Sequence, residues 1–202
     1  MLSNRLENPD VLRQVVTVDE HTTNETSVAD VRIRGEIDSS YRYEIVGGNE
    51  AGALAIDEAT GAITVADSDA LDHEQFDAIG LRVRVTDTAD PSVFGVGLTR
   101  VRLRDINEAL TVADGVFTVA AGSPNATVIG QLDASDADAR PGLTYRILGG
   151  NSENAVALHS LNGKLRVADP DVLQAGDVFE LVVEVRDRGD LFDTARIQIN
   201  VV

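Results

Sequence analysis

The chain has 202 residues, 43% of them hydrophobic, and a formal net charge of -17 from 34 acidic and 17 basic residues. That length allows one large domain or two of about 100 residues, each able to bury a core without a staple. The charge disfavours nucleic acid and anionic membranes. The absence of cysteine excludes disulfides, thiolate zinc sites and cysteine nucleophiles, and no apolar run approaches the roughly 18 residues of a membrane span.

The start, with Ser3, Asn4, Arg5 and Glu7 close behind Met1, has no apolar segment of a secretory signal. It reads as a cytoplasmic chain or as a fragment of a longer exported one. Residues 1–13 carry little pattern. Val15, Val16 and Val18 then form a β-branched run that ends at Asp19-Glu20. Val31 and Ile33 alternate with polar residues, and Tyr41, Tyr43 and Ile45 alternate again before the Gly47-Gly48-Asn49 turn. Period two with β-branched and aromatic residues predicts strands with one buried face.

Leu54 and Ile56 make a short strand, Asp57-Glu58-Ala59-Thr60-Gly61 a tight turn, and Ile63 and Val65 the return. Asp67 to Phe76 is a polar stretch that reads as a loop or one short helical turn. Leu81, Val83 and Val85 alternate cleanly. Val93 to Leu103 is the last strand of the unit, read as broken near Gly95 and Gly97.

The second half repeats this order. Tyr43-x-Ile45 returns as Tyr145-x-Ile147, Gly47-Gly48-Asn49 as Gly149-Gly150-Asn151, and Thr60-Gly61-x-Ile63 as Asn162-Gly163-x-Leu165, all at an offset of 102. Leu81–Asp87 returns as Leu181–Asp187, the offset having slipped to 100. So long an internal repeat marks two duplicated domains, 1–108 and 109–202. About seven strands per unit with regular turns predict an all-β chain of two immunoglobulin-like Greek-key β-sandwiches.

Between the copies lies Asp105-Ile106-Asn107-Glu108-Ala109. Calcium takes about six to eight oxygen ligands from carboxylates, carbonyls and water. In a β protein such ligands come from loops at one end. The first domain offers Glu20, Asp72, Glu74 and Glu108, the linker Asn107, and the second domain Asp136, Asp138 and Asp187.

Over nearly its whole length the chain resembles the cadherin repeat family. Glu20, in Val18-Asp19-Glu20-His21, stands where the family has the glutamate after its opening strand. Ile56-Asp57-Glu58-Ala59-Thr60-Gly61-Ala62-Ile63 matches I-D-x-x-T-G-x-I in full. Leu71-Asp72-His73-Glu74 resembles L-D-R-E, Asp105–Ala109 resembles the D-x-N-D-N linker, Asp136-Ala137-Asp138 is the D-x-D of the following domain, and Val185-Arg186-Asp187 its late A-x-D.

The resemblance implies tandem sandwiches of cadherin type with up to three calcium ions at the interdomain joint. Glu20, Asp72, Glu74 and Glu108 would hold the ions nearer the first domain. Asn107, Asp136, Asp138 and Asp187 would hold the one nearer the second, with Asp138 reaching the middle ion too. Ile106 and Ala109 would contribute backbone carbonyls, and Asp105 would brace the linker. Glu108 in place of aspartate and Ala109 in place of asparagine are the departures. The outer ends read as bare: the first domain's D-x-D position falls in Arg34-Gly35-Glu36-Ile37-Asp38, the second domain has Ala121 for the opening glutamate, and Leu173-Gln174-Ala175-Gly176 lacks both carboxylates. Asp87, with no D-x-D motif to accompany it, reads as a turn residue.

The family resemblance further implies an extracellular or cell-surface module, rigid and adhesive in calcium, from a longer bacterial surface or secreted protein. Its partner would be a protein, a second copy among the candidates, or a glycan. A carbohydrate-binding module and a passive spacer are the alternatives. There is no tryptophan for strand exchange. No enzyme is expected. The glycine spacings fit no nucleotide-binding loop, and Asp133 to Gly142 lacks the terminal glutamate of an EF-hand. The histidines are scattered, and the acids Asp105 and Glu108 have no aromatic sugar platform beside them.

Overall fold

The computed structural model describes residues 8–34, 40–138 and 142–202. The Gly35–Asp38 position and the Met1–Glu7 start lie outside the described residues. The chain divides into two compact units, 1–106 and 107–202, and among the described residues every regular element is a strand.

In the first unit the strands are β1 (Asp10–Val11), β2 (Gln14–Asp19), β3 (Ser27–Asp30), β4 (Ile33–Arg34), β5 (Tyr41–Gly47), β6 (Leu54–Ile56), β7 (Ala62–Val65), β8 (Ala78–Asp87) and β9 (Phe94–Arg104). They form a four-stranded sheet in the order β2-β9-β8-β5, a three-stranded sheet β3-β7-β6, and a β1-β4 ribbon. The opening strand β2 runs parallel to the closing strand β9, with Val16 opposite Val101 and Asp19 opposite Arg104. That pairing brings the ends of the first and last sandwich strands to the same place, which is where the acids cluster.

The second unit repeats the plan with β10 (Thr111–Val112), β11 (Gly115–Val119), β12 (Val128–Gln131), β13 (Ala134–Ser135), β14 (Thr144–Gly149), β15 (Val156–Leu158), β16 (Lys164–Val167), β17 (Val178–Arg186) and β18 (Phe192–Val201). Its sheets are β11-β18-β17-β14, β12-β16-β15 and the β10-β13 ribbon. Again the opening and closing strands, β11 and β18, pair in parallel.

Alternation decides the cores. On β8, Leu81, Val83 and Val85 are fully buried, while Arg82 between them is exposed. They pack with Ile63 and Val65 of the facing sheet and with Leu71 from the loop. In the second unit Leu181, Val183 and Val185 meet Leu165, Val167 and Leu173 in the same way. Each such aliphatic side chain contributes about 1.5–3 kcal/mol on burial.

One sequence expectation changes. The last strand is unbroken: β9 pairs with β8 without a register shift from Phe94 to Arg102. Its glycines instead make room for the chain crossing over them. A Cβ at Gly95 would stand 1.9 Å from the Pro9 carbonyl oxygen, and one at Gly97 2.5 Å from the Val11 side chain. Residues 67–76 fold as turns, with one helical-type hydrogen bond from the Phe76 amide to the Asp72 carbonyl at 3.0 Å.

The repeated Gly-Gly-Asn motif has a single explanation. Gly48 (φ +80) and Gly150 (φ +84) lie against the backbone of the neighbouring strand, where a Cβ would stand 2.0 Å from the Gly80 oxygen and 1.8 Å from the Glu180 oxygen. The asparagine then closes the turn. The Asn49 side chain accepts from the Leu54 amide and donates to its carbonyl, and Asn151 does the same to Val156.

Candidate metal centre

In the first unit, Glu20 follows β2 directly, and Asp72 and Glu74 lie on the loop between β7 and β8. One carboxylate oxygen from each lies within 4.8 Å of the others. Glu20 is 3% exposed. Its Oε2 accepts from the His73 amide at 2.7 Å and its Oε1 from the Ile106 amide at 2.6 Å. Glu20 therefore pins both the loop and the start of the linker.

Asp72 accepts from the Gln75 backbone amide at 2.8 Å and from the Gln75 side chain at 2.6 Å. The Gln75 side chain leads in holding its pKa below the ordinary value. Glu74 goes the other way: burial raises its pKa, with the charges of Glu20 and Asp105 adding to the effect. A second grouping, His73, Glu74 and Asp105, shares Glu74 and is just as close. Burial lowers the His73 pKa, but Glu74, Asp105 and Glu20 outweigh it and leave the pKa raised.

In the second unit, Asp136 and Asp138 follow β13 and Asp187 follows β17. Their carboxylate oxygens also lie within 4.8 Å of one another. The Asp138 amide donates to Asp136 Oδ1 at 3.0 Å, which curls the loop and turns both acids to one side. Asp138 Oδ2 accepts from the Glu108 amide at 3.1 Å, and Asp187 Oδ2 from the Asn107 side chain at 2.8 Å. Asp187 Oδ1 accepts from the Leu191 amide at 2.9 Å. Asp136 Oδ2 is buried with no hydrogen-bond partner. Burial, then the neighbouring Asp138 and Asp187, raises the Asp136 pKa.

Of the sequence-derived set, Glu20, Asp72 and Glu74 gather in the first unit, and Asp136, Asp138 and Asp187 in the second. Asn107 joins the latter through Asp187. Glu108 belongs to neither three-carboxylate cluster and is tied in by its amide. Ile106 is fixed by its amide on Glu20, and Ala109 is an exposed linker residue. Asp87, the first-unit counterpart of Asp187, accepts from the Ala89 and Asp90 amides at 2.7 and 3.1 Å, as a turn residue would.

Sequence reasoning missed His73 as a neighbour of the acids, and it missed Gly189. A Cβ at Gly189 would stand 2.3 Å from the Asn107 side chain. The signal for it was a glycine two residues after a ligand-type aspartate.

The donor set suits a hard cation. It is all oxygen, buried or half-buried, and among the described residues no lysine or arginine pairs with any of the six carboxylates. In the second unit two half-buried acids and the buried Asp187, with one oxygen left without a hydrogen-bond partner, lack a paired counter-charge among the described residues. A divalent ion would supply one, and calcium accepts such irregular oxygen geometry. The tyrosines offer no sugar platform. Tyr43 is 8% exposed, and Tyr41 and Tyr145 are half-buried against the cores.

No protein-family model matches the chain. Among curated proteins it is 36% identical over 167 residues to mouse Protocadherin Fat 4, which covers 80% of this chain and 3% of that protein. It is 34% identical over 153 residues to the Drosophila melanogaster Protein dachsous, covering 73% of this chain and 4% of that protein. The chain thus spans only a few hundredths of the length of these relatives. Among solved structures it superposes on human CDH23 EC21-23 with a TM-score of 0.81 at 18% identity, covering 97% of this chain and 70% of that one. Human Protocadherin-24 EC1-2 gives 0.74 at 18% identity, covering 97% and 99%. These similarities are to cadherins and not to an enzyme. The relatives are animal proteins, so the expected bacterial source finds no support, nor does a glycan partner. The strand plan, the repeat and this sequence similarity identify the two units as tandem cadherin-type β-sandwich domains.

Proposed function

We propose that this pair of domains is a structural and adhesive module whose interdomain joint is stiffened by bound calcium. The repeats are extracellular or cell-surface units. The observation that carries the calcium reading is the Asp136–Asp138–Asp187 cluster, with the buried, unpartnered Oδ2 of Asp136 and, among the described residues, no lysine or arginine paired with it. In this reading Glu20, Asp72, Glu74 and Glu108 ligate on the first-domain side, Asn107, Asp136, Asp138 and Asp187 on the second, and Ile106 and Ala109 through their carbonyls, for up to three ions.

Bound calcium supplies positive charge and oxygen coordination. The chain's own residues supply the frame. Glu20 holds the linker's first half through the Ile106 amide, and Asp187 holds its second half through Asn107. Without cations, the acids repel and the connection is loose. With them, the population shifts to the ordered arrangement. The partner is a protein at a cell surface, a second copy being one candidate. Val116, Val182 and Leu148, all exposed on the outer face of the second unit's four-stranded sheet, give such a partner an apolar surface to meet.

The test is calorimetric titration of the metal-stripped protein with calcium, beside a variant carrying Asp136→Ala and Asp138→Ala. Saturable binding of more than one ion, largely lost in the variant, is expected. A wild type that takes up no calcium would overturn the reading. Scattering profiles that do not change with calcium would remove the stiffening even if ions bind.

A further inference from the structure

Each repeat carries an Asn-x-Thr triplet on the same turn. In the first it is Asn24-Glu25-Thr26 and in the second Asn125-Ala126-Thr127, and no other asparagine of the chain stands two residues before a serine or threonine. The turns join β2 to β3 and β11 to β12. They are built alike. The middle residue has a positive φ, 68° at Glu25 and 67° at Ala126. Its amide donates at 2.8 Å to the return strand, to the Val65 carbonyl in one repeat and to the Val167 carbonyl in the other. The threonine amide closes the turn on the residue three before it, Thr23 or Pro124, at 3.3 and 3.1 Å.

Both asparagines are exposed. The Asn24 Oδ1 accepts from the Ser68 amide at 2.7 Å, which steadies the side chain and leaves Nδ2 uncommitted. The Asn125 Nδ2 donates to the Ala168 carbonyl at 2.7 Å. An amide nitrogen carries two hydrogens, so one can be replaced while the other keeps that bond.

We infer that Asn24 and Asn125 are acceptors for N-linked oligosaccharide. The inference rests on the extracellular reading above, because such transfer occurs on exported chains. The donor is a lipid-linked oligosaccharide pyrophosphate. A bond forms between the first sugar's anomeric carbon and Nδ2, the carbon–oxygen bond to the pyrophosphate breaks, one Nδ2 proton leaves, and the lipid pyrophosphate departs. The turn also gives the glycan a use. β2 and β3 are edge strands of their sheets, as are β11 and β12. Bulk at the turn joining them hinders edge-to-edge pairing with another chain, and it leaves the sheet faces open for a partner.

The experiment is translation of the chain, behind a cleavable export leader, in the presence of endoplasmic-reticulum microsomes. This reads attachment whether or not the chain is later secreted. Wild type is expected to carry two glycans removable by a glycan-cleaving amidase, which leaves aspartate at each acceptor for mass spectrometry. Thr26→Ala and Asn24→Gln each leave one glycan, as do Thr127→Ala and Asn125→Gln, and the double threonine variant has none. An unshifted wild type, or a shift that survives in the double variant, overturns the inference. Attachment at one asparagine alone overturns the other's assignment. A chain that is unglycosylated yet binds calcium sinks this inference only, and one that is glycosylated but binds no calcium sinks the joint only.

Discussion

Glu20 Oε1 lies 2.6 Å from the Ile106 amide nitrogen, and this hydrogen bond ties the end of the unit's opening sandwich strand to the second residue past its closing one. The other oxygen, Oε2, holds the His73 amide. Glu20 is therefore a structural clamp before any ion arrives. Glu74, in the same cluster, is not: its raised pKa reports a charge that burial penalises. The two residues are separable. In chelator, Glu20→Ala should destabilise the first unit by about 3 kcal/mol, the worth of charge-assisted bonds to amides left unmet. Glu74→Ala should leave the metal-free protein as stable as wild type or more so. In calcium both should lose the ion's increment. Urea midpoints with and without calcium measure this, and equal losses in chelator would refute the distinction.

Asp136 offers a sharper version in the second unit. Its charge is held against burial and against Asp138 and Asp187. Because the folded pKa lies above the unfolded one, the folded state binds the proton more tightly. The metal-free protein is thus relieved as pH falls through that raised value. Asp136→Asn imitates the relieved state and keeps the Oδ1 that accepts from the Asp138 amide. It should raise the urea midpoint in chelator and weaken the calcium response. For wild type, calcium at about a hundred times its dissociation constant should add roughly 2.7 kcal/mol. A variant that is weaker without metal, or as responsive to calcium as wild type, would contradict this account.

The sandwich and the duplication were legible because alternation on strands such as β8 and the offset of 102 depend only on local sequence. The two carboxylate clusters were legible through motif order, since Glu20 lies far before Asp72 and Glu74 in sequence and only a known arrangement brings them together. What was not legible depends on where one segment crosses another. Gly95 and Gly97 looked like strand breakers, because glycine weakens a strand on its own terms. Only the passage of Pro9 and Val11 over them shows why they are tolerated. Gly189 was silent for the same reason, as its neighbour Asn107 lies 82 positions earlier in the chain.

Gly48 and Gly52 test how much of a glycine's role is conformation and how much is space. Both have positive φ, +80 and +74. A Cβ at Gly52 meets nothing within 4 Å, whereas at Gly48 it would stand 2.0 Å from the Gly80 carbonyl oxygen. Gly52→Ala should cost roughly 1–2 kcal/mol, the left-handed penalty alone. Gly48→Ala must also displace a strand and should cost at least about 3 kcal/mol. Thermal unfolding of the two variants decides it, and similar losses would mean that the backbone contact relaxes freely.

Glu184 sets an acid limit on the second unit. It lies on the outer face of β17, 5% exposed, because the Arg146 guanidinium covers it with two bonds of 2.9 Å and Arg186 adds one of 3.3 Å. The hydrogen bond from Arg146 leads in lowering its pKa. A depressed carboxylate stabilises the fold at every pH above its unfolded value, about 4.3, and that contribution disappears as pH falls through the lower folded value. Glu184→Gln lacks it throughout. The gap in unfolding temperature between wild type and Glu184→Gln should therefore be widest near neutral pH and close on acidification below about 4.3. Chelator must be present, so that proton competition for the proposed calcium-binding carboxylates does not enter. A gap that stays constant down to strong acid would mean that Glu184 acts through its packing under the two arginines and not through its charge.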